Sequence, residues 1–126
     1  MEGYTAKIRD GREIYIPYWP VDVSLENLAK AGKYLGSSNL VAISELNIPA
    51  VIVSIMDSKE PNQSAALVKH FICQVRMDGA KIESGSIDSM FVGDLKTVAE
   101  LFAHVIAAQY ADFFESGLAK EVSPVD

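Results

Sequence analysis

Apolar positions alternate with polar ones in YTAKIRDGREIYIPYW, residues 4–19, where Tyr4, Ala6 and Ile8 fall on one face and Ile14, Ile16 and Tyr18 on the matching one. Period-two alternation belongs to strands. Asp10-Gly11 between the two runs is a favoured two-residue turn, because glycine accepts positive φ freely and aspartate tolerates it. A hairpin is therefore expected over residues 4–18. Pro17 must lie at an edge or at a strand end, since it has no N–H to give to a ladder.

Beyond YWPVDV the period becomes helical. Ser24 is placed to cap a helix on which Leu25, Leu28, Gly32 and Leu35 recur, and Gly36 is a natural terminator. Gly32 weakens that helix by about 1 kcal/mol relative to alanine, and its missing side chain leaves room for a close neighbour. NLVAISELNIPAVIVSIM is rich in Val and Ile, yet Asn47 followed by Ile48-Pro49 has the form of a helix start with proline in the first turn. Two short helices are expected there, residues 39–45 and 48–57, the second buried nearly all round. In EPNQSAALVKHFICQV, Leu67, Val68, Phe71, Ile72 and Val75 make one broad apolar face. Asp78-Gly79 offers a second small hairpin near residues 75–83, and SGSID reads as a loop.

Asp94 can cap a last helix running from Leu95 to Ser116, which Gly117 should stop. At ~1.5 Å per residue this helix is as long as a small domain is wide, so it should be the spine. Its main stripe is Leu95, Val98, Phe102, Val105, Gln109 and Phe113, widened by Leu101 and Ile106, with Lys96, Glu100, Ala107 and Ala111 opposite. The expected fold is mainly α: a compact helical domain of four to five helices with a short N-terminal hairpin, spanning residues 1–118. The polar tail, residues 119–126, is expected to be flexible.

Length and composition narrow the function classes. At 126 residues the chain holds one domain's worth of sequence, and 49% apolar with 22% charged residues is ordinary globular usage. A formal charge of -6, without a run of Lys or Arg that could track phosphates, argues against nucleic acid. One cysteine, Cys73, cannot form an internal disulfide, and MEGYTAKIRD lacks the apolar core of a secretory signal, so a reducing cytoplasm is expected. The longest apolar stretch is broken by Glu45, Asn47 and Pro49, which makes it a poor membrane span.

Candidate chemistry is sparse. His70 and His104 sit on different expected helices without the i, i+4 partner that builds a helical zinc site. His70 and Cys73, three residues apart, are the best metal or Cys-His candidate. The plainer reading outweighs it, because LVKHFICQV reads as a core helix and cysteine is commonly buried as a small hydrophobe. The glycines are scattered at turns and helix ends rather than gathered into a phosphate-binding loop. No catalytic, cofactor or metal residue is therefore assigned. His104, one turn after Glu100, is expected to be solvated. Gln109, inside an apolar stripe, needs hydrogen-bond partners and could fix helix register within the domain or across an interface.

The remaining candidates are aromatic. Phe113 continues the core stripe, while Tyr110 and Phe114 lie on an adjacent face that a small core cannot easily cover. YIPYWP adds Tyr15, Tyr18 and Trp19, residue types that dominate interface hot spots. Tyr15, Tyr18, Trp19, Tyr110, Phe113 and Phe114 are accordingly the candidate partner-binding residues, and Phe114→Glu is expected to weaken binding without unfolding the helix. Met56, Met77 and Met90 would be adaptable contributors where exposed.

A strand pair around DGREIYIP, a helical body, HFICQVRMDGAKI and then IDSMFVGDLKTVAELFAHVIAAQYADFFE together resemble the tail assembly chaperones of long-tailed bacteriophages. The closing section carries the likeness: Ile87-Asp88, an aromatic at Phe91, a glycine before the last helix and FF near its end. The resemblance implies a non-enzymatic helper in the host cytoplasm. It would bind the tape measure protein, keep its long apolar helix soluble, help recruit tail tube subunits and leave before the virion is complete. It also implies a programmed frameshift that extends some chains, with SGLAKEVSPVD as the unextended end. Self-association through the last helix is expected. The alternatives are a structural tail or baseplate component retained in the virion and, last, a small enzyme or metal protein built on His70 and Cys73.

Overall fold

The computed structural model describes residues 3–115. The tail at 119–126 and the stop at Gly117 lie outside them. Strands β1 (Gly3–Lys7) and β2 (Glu13–Pro17) pair antiparallel, with Tyr4 opposite Ile16 and Ala6 opposite Ile14. That is the expected facing, and Ile14 and Ile16 are buried. The connection is one residue longer than expected. Ile8 N–H donates to Arg12 O and Gly11 N–H to Ile8 O, with Gly11 at φ 96°, which makes a three-residue loop closed by a left-handed glycine. Pro17 ends its strand, as its missing N–H requires.

The second hairpin is β3 (Arg76–Met77) and β4 (Ala80–Lys81), joined by Asp78-Gly79, both at positive φ as a tight two-residue turn demands. It does not stand alone. Ile14 pairs with Met77 and Tyr15 with Arg76, while Asp78 accepts from Glu13 N–H and gives its own N–H to Glu13 O. The two hairpins thus form one four-stranded sheet in the order β1-β2-β3-β4.

Helix α1 (Val21–Leu35) starts three residues before Ser24. Pro20 presets the first turn and Ser24 N–H donates to Pro20 O, so Ser24 is inside the helix and caps nothing. Asp22, Glu26, Lys30 and Lys33 form a polar side of this helix, and docking makes Asn27, Ala31 and Leu35 the buried row, leaving Leu25 exposed. Nothing lies within 4 Å of where a Gly32 side chain would begin, so Gly32 serves no close approach. Gly36 at φ 90° ends α1 and leads directly into α2 (Ser37–Ser44). Asn47 caps α3 (Ile48–Met56), accepting from Ala50 N–H at 3.1 Å with proline in the first turn. Next come α4 (Pro61–Ile72), a single 3-10 turn (Ser84–Ser86), the one-turn α5 (Ile87–Met90) and α6 (Leu95–Glu115). SGSID is therefore wound into short helical turns, not open loop. The fold is mainly α, with six helices among the described residues.

Helix α6 is the spine. Asp94 accepts from Thr97 N–H at its start, and every residue from Ala99 to Ala107 is buried, with α2, α3 and α4 packed around it. Glu100 and Ala107, read from sequence as an outer face, are inside. Burying a carboxylate and an imidazole on such a helix requires partners, and the hairpin supplies them. Glu100 accepts from Arg9 N–H at 2.9 Å and pairs with its guanidinium at 3.6 Å. His104 Nδ1 shares a 2.8 Å hydrogen bond with Tyr4 OH. Gln109 accepts from Trp19 N–H at 3.0 Å and donates to Pro17 O at 2.9 Å. These three side chains hold the hairpin along α6 from its tip to its end, so Gln109 fixes register within the fold and His104 is not solvated.

Candidate partner-binding grooves

The aromatic candidates do not gather into one surface. Trp19 packs edge-on against Phe71 and Tyr110. Tyr110 is 4% exposed and donates its hydroxyl to Ser24 O at 2.7 Å, fixing α1 to α6; burial pushes its pKa upward. Phe114 is 8% exposed, whereas Phe113, its edge-on neighbour, is 44% exposed. The expected order is thereby reversed. The core-facing row at the end of α6 is Ala103, Ile106, Tyr110 and Phe114, an i, i+3, i+4 continuation that passes Phe113 by. Tyr15 lies on the outer face of the sheet beneath the Arg76 guanidinium, 5.9 Å from its ring centroid, and Tyr18 is exposed nearby in sequence. The depression over that outer face mixes charged residues, Lys7, Glu13, Arg76 and Asp78, with Ala6, Ile14 and Tyr15.

His70 is exposed and Cys73 half-buried, with the thiol directed to His70 O at 3.0 Å, an ordinary helix-end contact. Among the described residues no three His, Cys, Asp or Glu side chains cluster as metal ligands would. No helix of the described residues is long and apolar enough to cross a membrane.

Exposed apolar surface lies elsewhere, around α3. Only Val51 and Ser54 of this helix are buried, and Ile52, Val53, Ile55 and Met56 face outward, Met56 with 76% of its surface. The expectation of a helix buried nearly all round fails because α3 packs against α6 and α2 and touches α4, and these neighbours leave Ile52, Val53, Ile55 and Met56 uncovered. On one flank a groove of about 640 Å³ runs between Ile52, Ile55 and Met56 of α3, Val68 of α4, Ile87 and Phe91, and Leu95 and Val98 at the start of α6. Val92 and Leu95 stand open at its rim, 77% and 72% exposed. Its charged lining residues, Lys69 and Asp88, form an ion pair at 2.8 Å. On the other flank a second groove of about 620 Å³ is floored by Leu46, Ile48, Pro49, Ile52 and Val53, with Arg9 and Lys96 above. Ile52 belongs to both. Leu46 turns the chain into this wall at φ 63°, an uncommon conformation for leucine.

The lining of the first groove is apolar apart from the Lys69–Asp88 pair, and that of the second apart from Arg9, Asn47 and Lys96. Two open apolar troughs sharing a helical ridge are exposed apolar surface of the kind that marks protein contacts. Sequence reasoning missed them because it took nine residues of near-continuous apolar character in α3 as a sign of burial. No local signal in the run could have found them, because an apolar helix of this length reads the same whether or not its neighbours enclose it.

The family follows from the chain as a whole. The model of the family described as phage tail assembly chaperone protein, TAC, matches residues 10–120, and this chain belongs to that family. No curated protein and no solved structure matches it.

Proposed function

We propose that this tail assembly chaperone acts by holding an apolar helix of the phage tape measure protein across the ridge of α3, in the two grooves that flank it. The observation that carries the reading is the exposure of Ile52, Val53, Ile55, Met56, Val92 and Leu95 around one ridge. Helix-in-groove recognition works through side-chain packing and accepts many sequences, and the flexible thioether of Met56 suits it. Such binding keeps the long helix soluble until tail tube subunits are recruited, and it needs no catalysis. The protein would then work in the host cytoplasm and leave the particle. The middle of α6 is enclosed by its own domain, so self-association through that helix would have to use its exposed ends, at Leu95 or near Phe113.

The test is co-expression with the tape measure protein of the same phage. Val92→Asp and Ile52→Asp place a carboxylate in the groove; at the open Val92 the change should cost less than about 0.5 kcal/mol, and at the half-covered Ile52 about 1 kcal/mol. Both variants should fold, and both should lose most of the co-purifying, soluble tape measure protein. Undiminished recovery with both would overturn the assignment of the grooves.

A further inference from the structure

We infer, on the basis of that docking reading, that the helix this protein recognises carries carboxylates along one side of its apolar stripe, and that Lys96 reads them. The chain has a formal charge of -6, yet the charged residues lining the second groove, Arg9 and Lys96, are both basic. In the first groove Lys69 and Asp88 answer each other at 2.8 Å and leave little for a partner. Arg9 is partly answered too, since its guanidinium lies 3.6 Å from Glu100. Lys96 makes no ion pair among the described residues. It is exposed in the first turn of α6, where the helix dipole disfavours a cation. The nearest acidic cap, Asp94, directs its carboxylate to Thr97 N–H.

Screening decides what a partner feels. With a Debye length of about 8 Å at physiological salt, the dispersed negative charge of the chain fades over a short distance, whereas a lysine on the groove rim acts at contact. A helix lying on Leu46, Ile52 and Val53 passes beside Lys96 and Arg9. Carboxylates on that side gain an attraction that lysines in the same places would lose. Rim charges of this kind set orientation and association rate, and each pair is worth roughly two- to fivefold in affinity.

The test is fluorescence anisotropy on the full chain with two labelled synthetic helices that share one Leu/Ile stripe, one flanked by Glu and the other by Lys. The Glu-flanked helix should bind roughly fivefold more tightly or better, with the preference shrinking as salt rises. Lys96→Glu should abolish or reverse the preference. Lys81→Glu, on β4 outside both grooves, should leave it unchanged. Equal affinity for the two peptides, or a preference indifferent to Lys96→Glu, overturns the inference; if Val92→Asp still weakens both peptides, the docking reading survives that result. Binding of neither peptide, together with unaltered tape measure recovery by Val92→Asp and Ile52→Asp, overturns both.

Discussion

Within the core, three polar side chains of α6 do work that apolar ones could not. Glu100, His104 and Gln109 each meet a group of the hairpin or its exit, so the register of the hairpin on α6 is set by hydrogen bonds as well as by fit. His104 makes this dependent on pH. Burial holds its pKa below the ordinary 6.5, against a smaller opposing effect of Glu100. Above 6.5 the imidazole is neutral in folded and unfolded chains alike and adds no slope. As pH falls below 6.5 the unfolded chain takes up the proton first, so stability declines, and the loss levels off once the folded state also protonates. His104→Gln should remove that decline while retaining a polar group near Tyr4. Urea midpoints measured between pH 7 and pH 5, about the range over which histidine titrates, should fall more steeply for the native chain than for the variant; parallel curves would show that His104 is not the group responsible.

Elements acquire their buried faces only on docking, and the end of α6 shows how closely placed the alternatives are. Phe113 and Phe114 are adjacent, equally apolar and within one helical turn of Tyr110, yet only Phe114 continues the row that meets the core. A charge at Phe114 must be taken out of water without a partner. Phe114→Glu should therefore cost on the order of 3 kcal/mol and lower the melting temperature sharply. Phe113→Glu should cost less than about 1 kcal/mol. Thermal unfolding of the two variants decides it, and similar losses for both would refute the facing of this helix. The strand pairs teach the same point. Each hairpin was legible from its own turn, Asp10-Gly11 and Asp78-Gly79, but their union through Ile14–Met77 and Tyr15–Arg76 joins segments more than sixty residues apart, which no local pattern encodes.

For the molecule as a whole, the family and the grooves point the same way. A chaperone that covers an apolar helix during assembly must keep its own apolar surface open beforehand, and on the reading proposed above the ridge of α3, exposed on an otherwise acidic chain, would be that surface. A component that stays in the tail would have that surface permanently covered. Mass spectrometry of purified virions separates the two: the chaperone reading expects no peptides of this chain at the stoichiometry of tail subunits, and their recovery in that amount would make it a structural component.

Local information carried the two hairpins, the long helices, the Asn47 and Asp94 caps and the spine role of α6, because periodicity, positive φ and capping groups act over a few residues, though it missed the helical turns of SGSID and misplaced the start of α1. The likeness in the closing section and the hairpin reached the family as well. Tertiary structure decided the rest. Whether an apolar side chain is core or surface depends on what packs against it. Tyr110 and Phe114 therefore went inside, Val92 and most of α3 stayed out, and His104 and Glu100 found partners some ninety to one hundred residues away in the hairpin. An apolar helix that its neighbours enclose and one that they leave open, as α2, α4 and α6 leave α3, have the same sequence signature, and only the arrangement of the neighbours decides between them.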